Sequence, residues 1–378
     1  MQQTDYDICI VGGGLGGLCL ALLCADAGYG VILFEKEVYP FHKVCGEYIS
    51  YESYDFLTML GLPLNELDLP QIKKLQVSDV KGNRYYFPLD LGGFGISRYT
   101  IDSALYKLAL ERAVIVCTEE KVTDVRFEND THIIQTNKKN ITAKIVAGAF
   151  GKRSNLDVKW KRSFAEKKTN KLNNYIGVKY HIKTNFAKNE IALHNFKDGY
   201  CGISAIEENK YCLCYLTNAG NLSANNNSMQ QMQEKVLYKN PALKEIFMNA
   251  TFLYEAPLTI SQISFERKTQ IENHILMIGD AAGMITPLCG NGMSMAMHSA
   301  KLAFNEIGDY FGKKSSRIEM EESYAARWKK EFALRLATGR LVQRLMGNET
   351  STGIFLKLMH SMPFLSNTLI RSTHGKPF

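Results

Sequence analysis

A glycine-rich turn between two apolar segments constrains this chain more than any other feature of its sequence. The run from Tyr6 to Val11 predicts a buried strand, and the residues from Gly12 to Gly17 that follow it match the pattern G-x-G-x-x-G. In such a unit the first two glycines let the backbone approach a pyrophosphate, and the third lets the next helix lie close to the sheet. Glu35 ends a second apolar run roughly 20 residues later, where a carboxylate meets a ribose 2′-OH. The order of these elements predicts a nucleotide cofactor.

An alternative interpretation of the same region is a membrane span or signal segment. Residues 8–25 carry no charged side chain, and an uncharged run of this length is long enough for either kind of segment. However, five glycines lie within Gly12 to Gly17, and Asp5 and Asp7 precede the run where Lys or Arg would be expected. Glycine is costly in a helix. The run is therefore predicted to be strand, turn and helix, and we expect a cytoplasmic protein.

Composition is that of a globular chain of 378 residues, with 46% hydrophobic and 22% charged residues, long enough for two domains. The net charge is +7, but the basic residues are scattered, and no nucleic-acid partner is predicted. Lys159 to Lys171 is the dense basic stretch. We interpret it as a solvated loop, with contact to an anionic membrane surface or an acidic carrier protein as the alternative.

The nine cysteines lie largely inside apolar runs, which indicates small buried side chains in a reducing compartment. Cys212 and Cys214 would share one face of a strand, but no further Cys or His stands nearby at ligand spacing. We expect neither a disulfide framework nor a metal site.

The order of predicted elements indicates an α/β fold in which a Rossmann-like cofactor-binding domain is interrupted by a mixed or antiparallel β-sheet. The expected boundaries are 1–70, 97–157 and 265–315 for the cofactor domain, 71–96 and 158–264 for the substrate domain, and 316–378 for a C-terminal helical region. Long helical patterns run from Gly292 to about Arg371, with breaks expected at Gly312, Gly347 and Pro363.

A second motif lies late in the chain. An apolar strand ends at Gly279-Asp280, and Pro287 to Gly292 forms a Pro-x-x-Gly-x-Gly turn before an apolar helix. The aspartate can accept hydrogen bonds from the hydroxyls of a ribityl chain. The N–H groups and positive dipole of the helix N-terminus can face a flavin edge that becomes negative on reduction.

Together these motifs resemble the FAD-dependent aromatic-hydroxylase fold, especially its branch with geranylgeranyl reductases and flavin-dependent halogenases. Arg98 with Asp102, in Arg-x-x-Ile-Asp, belongs to the same pattern. The resemblance implies non-covalent FAD, with Glu35 at the AMP ribose, Arg98 near the pyrophosphate or flavin, and Asp280 at the ribityl chain. The expected cofactor-binding set is Gly12, Gly13, Gly14, Leu15, Gly16, Gly17, Glu35, Lys36, Lys43, Cys45, Arg98, Val122, Asp280, Gly290, Asn291 and Gly292.

The segment from Lys43 to Glu47 resembles the Pro-Cys-Gly segment that passes beside the isoalloxazine in the reductases. Cys45 and Glu47 are therefore the candidate catalytic residues. A thiol at Cys45 could deliver a proton to a substrate carbon or could simply be a small residue tolerated there. Glu47 could orient Lys43 or donate a proton.

Two departures from the family pattern bear on function. The family's Gly-Ala-Asp-Gly segment has Phe150 in place of its aspartate, which removes an acceptor from a groove used by nicotinamide donors in relatives. NAD(P)H or a separate reductase or ferredoxin therefore remain alternative electron donors. The Trp-x-Trp-x-Ile-Pro motif of halogenases is absent, since the two tryptophans are Trp160 and Trp328, and this disfavours halogenation.

The function predicted from the sequence is that of an FAD-dependent oxidoreductase, monooxygenase-like, acting on a mainly apolar substrate such as an aromatic, polyketide or lipid compound. One alternative is a reductase of carbon–carbon double bonds that resembles geranylgeranyl reductase. The other is a non-catalytic module that binds prenyl groups or lipids.

Overall fold

Two β-sheets and a set of C-terminal helices build the fold in the computed structural model, which describes residues 4–166 and 173–378. The strands are β1 Tyr6–Val11, β2 Val31–Phe34, β3 Tyr48–Ser50, β4 Gln71–Ser78, β5 Arg84–Gly95, β6 Ile115–Cys117, β7 Val122–Glu128, β8 Thr131–Thr136, β9 Asn140–Gly148, β10 Tyr175–Lys183, β11 Glu190–Phe196, β12 Gly199–Ile206, β13 Lys210–Asn218, β14 Thr251–Phe252, β15 Leu258–Ile263, β16 Ile271–Glu272 and β17 Ile275–Met277. The helices are α1 Leu15–Asp26, α2 Tyr54–Met59, α3 Arg98–Glu111, α4 Asn155–Lys159, α5 Ser163–Glu166, α6 Ala219–Ser223, α7 Met229–Lys235, α8 Pro241–Asn249, α9 Gly292–Phe311, α10 Arg317–Leu345, α11 Glu349–Ser361 and α12 Pro363–Thr373.

The first sheet is the predicted Rossmann-like layer. Its strands β17, β9, β1, β2 and β6 pair in that order and are parallel, while β16 and the β7–β8 hairpin add antiparallel strands. Helix α1 packs closely on this sheet because Gly17 has no side chain: a Cβ there would lie 2.0 Å from the carbonyl oxygen of Gly12. Gly12 has a φ of 109°, which a residue with a side chain rarely adopts. The close packing expected at Gly17 is thus confirmed, and the role of Gly12 at a pyrophosphate stays a prediction.

The second sheet has nine strands. Its order is β14, β10, β13, β12, β11, β4, β5 and β3, with β15 also paired to β10. All pairs are antiparallel except β4 with β11. Strand β3 belongs to this sheet although its residues fall inside the predicted 1–70 segment. The domain boundaries themselves stay a prediction.

The C-terminal region is helical, as expected, and its three breaks fall where the sequence placed them. Helix α9 ends beside Gly312, α10 ends two residues before Gly347, and α12 begins at Pro363. Ser316 and Glu319 form a capping box at the start of α10. Within residues 4–166 and 173–378, no helix combines the length and apolarity needed to cross a membrane.

Three sequence expectations need correction or fall outside the structure. The sequence after the glycine-rich turn predicts a helix from Leu15 to Tyr29, but α1 ends at Asp26 because Gly28 has a φ of 83° and turns the chain into β2. The sequence also predicts a hairpin strand from Tyr85 to Leu89, but β5 runs from Arg84 to Gly95. The basic stretch from Lys159 lies only partly in the described chain, since residues 167–172 are outside it.

Candidate active site

The phosphate-binding turn faces two cations that a single carboxylate holds in place. A Cβ on Gly14 would meet the Arg98 guanidinium at 3.6 Å and the Lys43 ammonium at 3.9 Å. Asp102 accepts hydrogen bonds from Arg98 at 2.8 and 2.7 Å and pairs with Lys43 at 3.0 Å. Burial opposes ionisation of Asp102, but Arg98 and then Lys43 outweigh it and lower its pKa. One buried anion therefore positions two cations at the turn where a pyrophosphate is expected.

Glu35 lies on the other side of the same turn and is buried. Its carboxylate accepts hydrogen bonds from the backbone N–H groups of Gly13 at 3.0 Å, Lys36 at 2.8 Å and Glu37 at 3.2 Å. Glu35 thus supports the turn itself besides lying where a ribose is expected. The Lys36 side chain points to solvent and pairs with Glu37.

Val122, also in the predicted cofactor set, has a buried side chain at the start of β7. Two residues before it, the backbone N–H of Glu120 donates to the carbonyl of Glu35. The Val122 side chain belongs to the core. Val122 is therefore near the expected ribose position only through this backbone contact two residues earlier in the chain.

Asp280 and the residues from Val44 to Glu47 line one cleft of about 1380 Å³, together with Gly14, Arg98 and Gly292. We call this space the cofactor cleft. Among residues 4–166 and 173–378, no group donates a hydrogen bond to the Asp280 carboxylate, and burial raises its pKa. A half-buried acceptor without a partner suits the hydroxyls of a ribityl chain. With the glycine cradle and the two cations, it fits FAD.

Two lysines flank Asp280 and were not foreseen from the sequence. The Lys268 ammonium donates to the carbonyls of Lys152 at 2.6 Å and Asp280 at 2.7 Å. The Lys152 side chain lines the cofactor cleft, and the described chain supplies no hydrogen-bond acceptor for its ammonium. Burial lowers the pKa of each lysine to about 8. Lys152 therefore offers a cation toward the cleft, whereas Lys268 is held by the backbone.

The Gly290–Gly292 turn has the geometry that the sequence predicted. Gly290 has a φ of 63°, and α9 begins at Gly292, so its first N–H groups face the cofactor cleft. The Asn291 side chain, however, donates to the carbonyl of Thr373 at 2.9 Å. Asn291 thus contacts the C-terminal region through its side-chain nitrogen and also lines the cofactor cleft.

The Lys43–Glu47 segment is held against the second sheet by side chains of β10, β12 and β13. The carbonyl of Lys43 accepts from Lys179 at 3.1 Å, that of Gly46 from Ser204 at 3.0 Å, and that of Cys45 from the Cys212 thiol at 3.1 Å. The segment therefore has a fixed path along the wall of the cofactor cleft.

Cys45 is half-buried on this wall. Burial raises the pKa of its thiol, so the group is protonated at neutral pH. The backbone N–H of Glu47 lies 3.5 Å from its sulfur. Such a thiol is a proton donor rather than a nucleophile. Its catalytic role stays a prediction.

Glu47 does not orient Lys43, which corrects one of the two roles considered for it. Its carboxylate is fully buried and accepts hydrogen bonds from the Arg98 backbone at 2.8 Å, from the Lys179 ammonium and from His181 at 2.6 Å. Burial opposes its ionisation, but Lys179 and then His181 lower its pKa. Lys43 instead pairs with Asp102.

Glu47, His181 and Cys212 place three potential metal-ligand atoms within 4.8 Å of one another in the described chain. The Lys179 ammonium already supplies the positive charge there, and burial keeps the pKa of Cys212 well above its usual value. These two facts disfavour a cation at the cluster, and the absence of a metal stays a prediction.

The Phe150 ring packs in the core and is not among the residues that line the cofactor cleft, and its effect on nicotinamide donors stays a prediction. The ring contacts Trp160 edge-on, with the ring centroids 6.2 Å apart, and packs against the core of the first sheet. Its neighbours Ala149, Gly151 and Lys152 line the cofactor cleft instead. The aromatic side chain is therefore a packing residue, and Lys152 is the residue of this segment that faces the cleft.

An apolar pocket of about 840 Å³ adjoins the cofactor cleft. It lies between the second sheet and α10–α12, and side chains such as Phe87, Leu356 and Ile370 line it. The two spaces share their walls at Tyr48, Ile191, Leu193, Pro287 and Gly290. The apolar pocket and the cofactor cleft are therefore adjacent beside the Gly290 turn.

The remaining functional residues were missed because they are far apart in the sequence. Lys179 and His181 alternate with apolar residues in β10, and two polar side chains on one face of a buried strand were the available signal. No local sequence pattern predicted that C-terminal residues line the apolar pocket, since their spacing is typical of the buried face of any helix.

Comparison with known proteins agrees with this geometry. Residues 5–161 match the family model of an FAD-binding domain, and residues 159–349, just over half of the chain, match the model of squalene epoxidase. The chain is 24% identical over 350 residues to a digeranylgeranylglycerophospholipid reductase of Methanosarcina acetivorans, covering 87% of this chain and 81% of that protein. It is 23% identical over 369 residues to conditioned medium factor receptor 1 of Dictyostelium discoideum, covering 88% and 69%.

Among solved structures, the flavin-dependent brominase Bmp2 has a TM-score of 0.80 at 18% identity, with 97% of this chain and 93% of that chain covered. This similarity shows a shared fold, as the motif resemblance implied. The FAD-binding match covers the glycine-rich turn, and the second match covers strands β10 to β17, Asp280 and helices α9 and α10. The chain therefore belongs to the squalene epoxidase family of FAD-dependent oxidoreductases.

Proposed function

We propose that this oxidoreductase uses its reduced flavin to act on a long, mainly apolar substrate held in the apolar pocket. The observation that carries the proposal is the shared wall between that pocket and the cofactor cleft. Bound FAD supplies two-electron redox chemistry and, when reduced, reaction with oxygen. The protein supports it with cations at the pyrophosphate turn, an acceptor at Asp280 and a helix N-terminus at the flavin edge.

Two reactions on an apolar substrate remain candidates, each with its own support. Monooxygenation is favoured by the family model, which is named for an epoxidase. Reduction of a carbon–carbon double bond needs a proton donor beside the flavin, and Cys45 is a thiol with a raised pKa on the cleft wall. The relative from Methanosarcina acetivorans is itself a reductase. Monooxygenation is the first candidate and reduction the second.

The non-catalytic lipid-binding alternative has little support. Such a module needs no acceptor for a ribityl chain, yet Asp280 lies half-buried and without a hydrogen-bond donor among the described residues. Nor does it need two cations at the Gly14 turn.

The electron donor is proposed to be either NAD(P)H directly or a separate reductase or ferredoxin. Because the Phe150 ring packs on Trp160, it gives no steric reason against direct reduction. The test is an anaerobic spectrum of the FAD-loaded protein with NADH and with NADPH, followed by admission of air. Flavin bleaching and then peroxide or an oxygen adduct supports monooxygenation. Reduced flavin that persists in air and is oxidised by an alkene substrate supports the reductase.

We further propose a peripheral membrane contact as the source of an apolar substrate. The outer faces of α10–α12 expose large apolar side chains, among them Ile354, Leu358 and Phe364, which is 81% exposed. Residues 334–378 carry six Lys and Arg against one Glu, which suits an anionic surface. The inner face of α11 lines the apolar pocket.

Cosedimentation with vesicles of phosphatidylglycerol and phosphatidylcholine tests this contact. Phe364→Ser together with Ile354→Ser should reduce the bound fraction at least fivefold, since both remove exposed apolar area. Met248→Ser is the control, because Met248 is 67% exposed on α8, away from this face. Equal binding by all three proteins would contradict the proposal.

A further inference from the structure

A continuous hydrogen-bonded chain of side chains connects the protein surface with the buried Glu47. Glu47 lies 2.6 Å from Nε2 of His181, whose Nδ1 lies 2.6 Å from the hydroxyl of Tyr254. That hydroxyl lies 3.0 Å from Nε2 of His42, the nearer of its two ring nitrogens, and 3.4 Å from Nδ1. His42 is half-buried and stacks on Tyr99, which is 40% exposed. The chain begins near solvent and ends at the Lys43–Glu47 segment of the cofactor cleft.

The carboxylate at the inner end fixes the direction of every hydrogen bond in the chain. Because the pKa of Glu47 is lowered, Glu47 is ionised and can only accept, so Nε2 of His181 carries a hydrogen. With the hydrogen on Nε2, Nδ1 of His181 can accept the hydroxyl hydrogen of Tyr254, which lies 2.6 Å away. The Tyr254 oxygen in turn accepts from Nε2 of His42. All three donors therefore point toward Glu47.

We propose that His42, Tyr254, His181 and Glu47 form a proton wire that supplies the wall of the cofactor cleft beside Cys45. The inference rests on the proposed function, which moves a proton at the cleft in each turnover. A proton taken from water at Nδ1 of His42 moves its Nε2 hydrogen to Tyr254. Tyr254 passes its own hydrogen to Nδ1 of His181, and the Nε2 hydrogen of His181 passes to Glu47. One proton enters, one is delivered as the neutral carboxyl group of Glu47, and no electron moves.

The charged groups around the wire keep its members in the required states. Burial and then Lys179 lower the pKa of His42, so it is neutral at rest and releases a proton readily. Burial raises the pKa of Tyr254 to about 12, so its hydroxyl keeps a hydrogen to pass on. The other groups that face the wire are Lys210, Glu207, Cys212, Cys45 and the backbone N–H of Arg98.

Proton release during flavin oxidation tests the wire without any substrate. The FAD-loaded protein is photoreduced in dilute buffer and mixed with ferricyanide, which accepts electrons only. Reduced FAD gives its electrons to ferricyanide and its proton to the site, and a pH-indicator dye reports arrival of that proton in solvent. Since each hydrogen bond works in both directions, the wire carries the proton outward here.

Tyr254→Phe removes the hydroxyl link and keeps the ring, and Tyr99→Phe is the matched control on the same cluster. We expect Tyr254→Phe to slow proton release about tenfold or more while Tyr99→Phe leaves it unchanged. His42→Gln can form hydrogen bonds but cannot pass a proton from one ring nitrogen to the other, so it should slow proton release as Tyr254→Phe does. It serves as the test variant if Tyr254→Phe loses FAD. Proton release at the wild-type rate in an FAD-loaded variant would overturn the wire. Failure of the wild type to bind FAD would instead overturn the proposed function.

Discussion

Substitution of two helical glycines by alanine should have opposite effects on this protein. Gly17 lies in the first turn of α1, and an alanine Cβ there would lie 2.0 Å from the carbonyl oxygen of Gly12 and 3.2 Å from the Cβ of Ala149. Gly308 lies inside α9, and no heavy atom outside its own helix lies within 4 Å of a Cβ placed there. The pair separates a steric requirement at the cofactor turn from the general effect of glycine in a helix.

The size of each effect follows from these distances. To restore ordinary contact at Gly17, α1 must move on the order of 1 Å or more away from the backbone of the turn. Ten residues of α1 are buried, so that movement disturbs the core, and the cost is about 3 kcal/mol. Gly308→Ala meets nothing and should stabilise the protein by about 0.5–1 kcal/mol, because alanine loses less backbone entropy on folding.

Urea unfolding of both variants and a fluorescence titration with FAD measure these effects. Gly17→Ala should lower the free energy of unfolding and weaken FAD binding about tenfold or more, since the same movement displaces the phosphate-binding N–H groups. Gly308→Ala should bind FAD as the wild type does. If Gly17→Ala unfolded at the wild-type urea concentration and kept its FAD affinity, the close approach of α1 to the turn would be refuted.

Two further pairs of variants probe the charged groups. Asp280→Asn should weaken FAD binding by roughly tenfold to a hundredfold in a titration, without lowering the urea stability of the FAD-free protein, because its carboxylate has no donor in the described chain. Glu35→Ala should lower both the FAD affinity and the urea stability of the FAD-free protein, since Glu35 accepts three backbone hydrogen bonds. Equal urea stability of Asp280→Asn and Glu35→Ala would contradict this structural role of Glu35. Lys152→Met should raise the stability of the FAD-free protein at pH 7, because the folded pKa of about 8 lies below the ordinary 10.5 and protonation therefore costs folding energy. The gain should shrink as pH rises from about 8 to 10.5 in a series of urea melts, and the exposed Lys36→Met should show neither effect.

The sequence predicts the site well where its parts are close together in the chain. The turn, Glu35 and the Gly290–Gly292 turn each depend on a short local pattern whose spacing sets the geometry. Asp102 was named with Arg98 as part of the family pattern, and the structure explains the pairing by the four-residue spacing of the two side chains on α3. For the same reason, the breaks in the C-terminal helices follow from single glycine and proline residues.

The parts that the sequence does not predict depend on packing between distant strands. Lys179 on β10 contacts Glu47, which lies far away in the sequence. The position of Lys179 depends on the register of β10 with β13, and no local pattern encodes that register. Tyr254 and His42 meet through the loop after β14. The packing of Phe150 on Trp160 was equally out of reach, because a motif gives the position of a residue in the chain but not the direction of its side chain.

The bound cofactor itself is the most direct test of the account. The purified protein should be yellow and, after acid or heat denaturation, release about one FAD per chain into the supernatant, because both ends of the cofactor have binding groups and no covalent link is expected. Quantification of flavin by absorbance and chromatography against protein concentration measures this. A colourless protein that fails to take up added FAD, or flavin that stays with the precipitated chain, would contradict it.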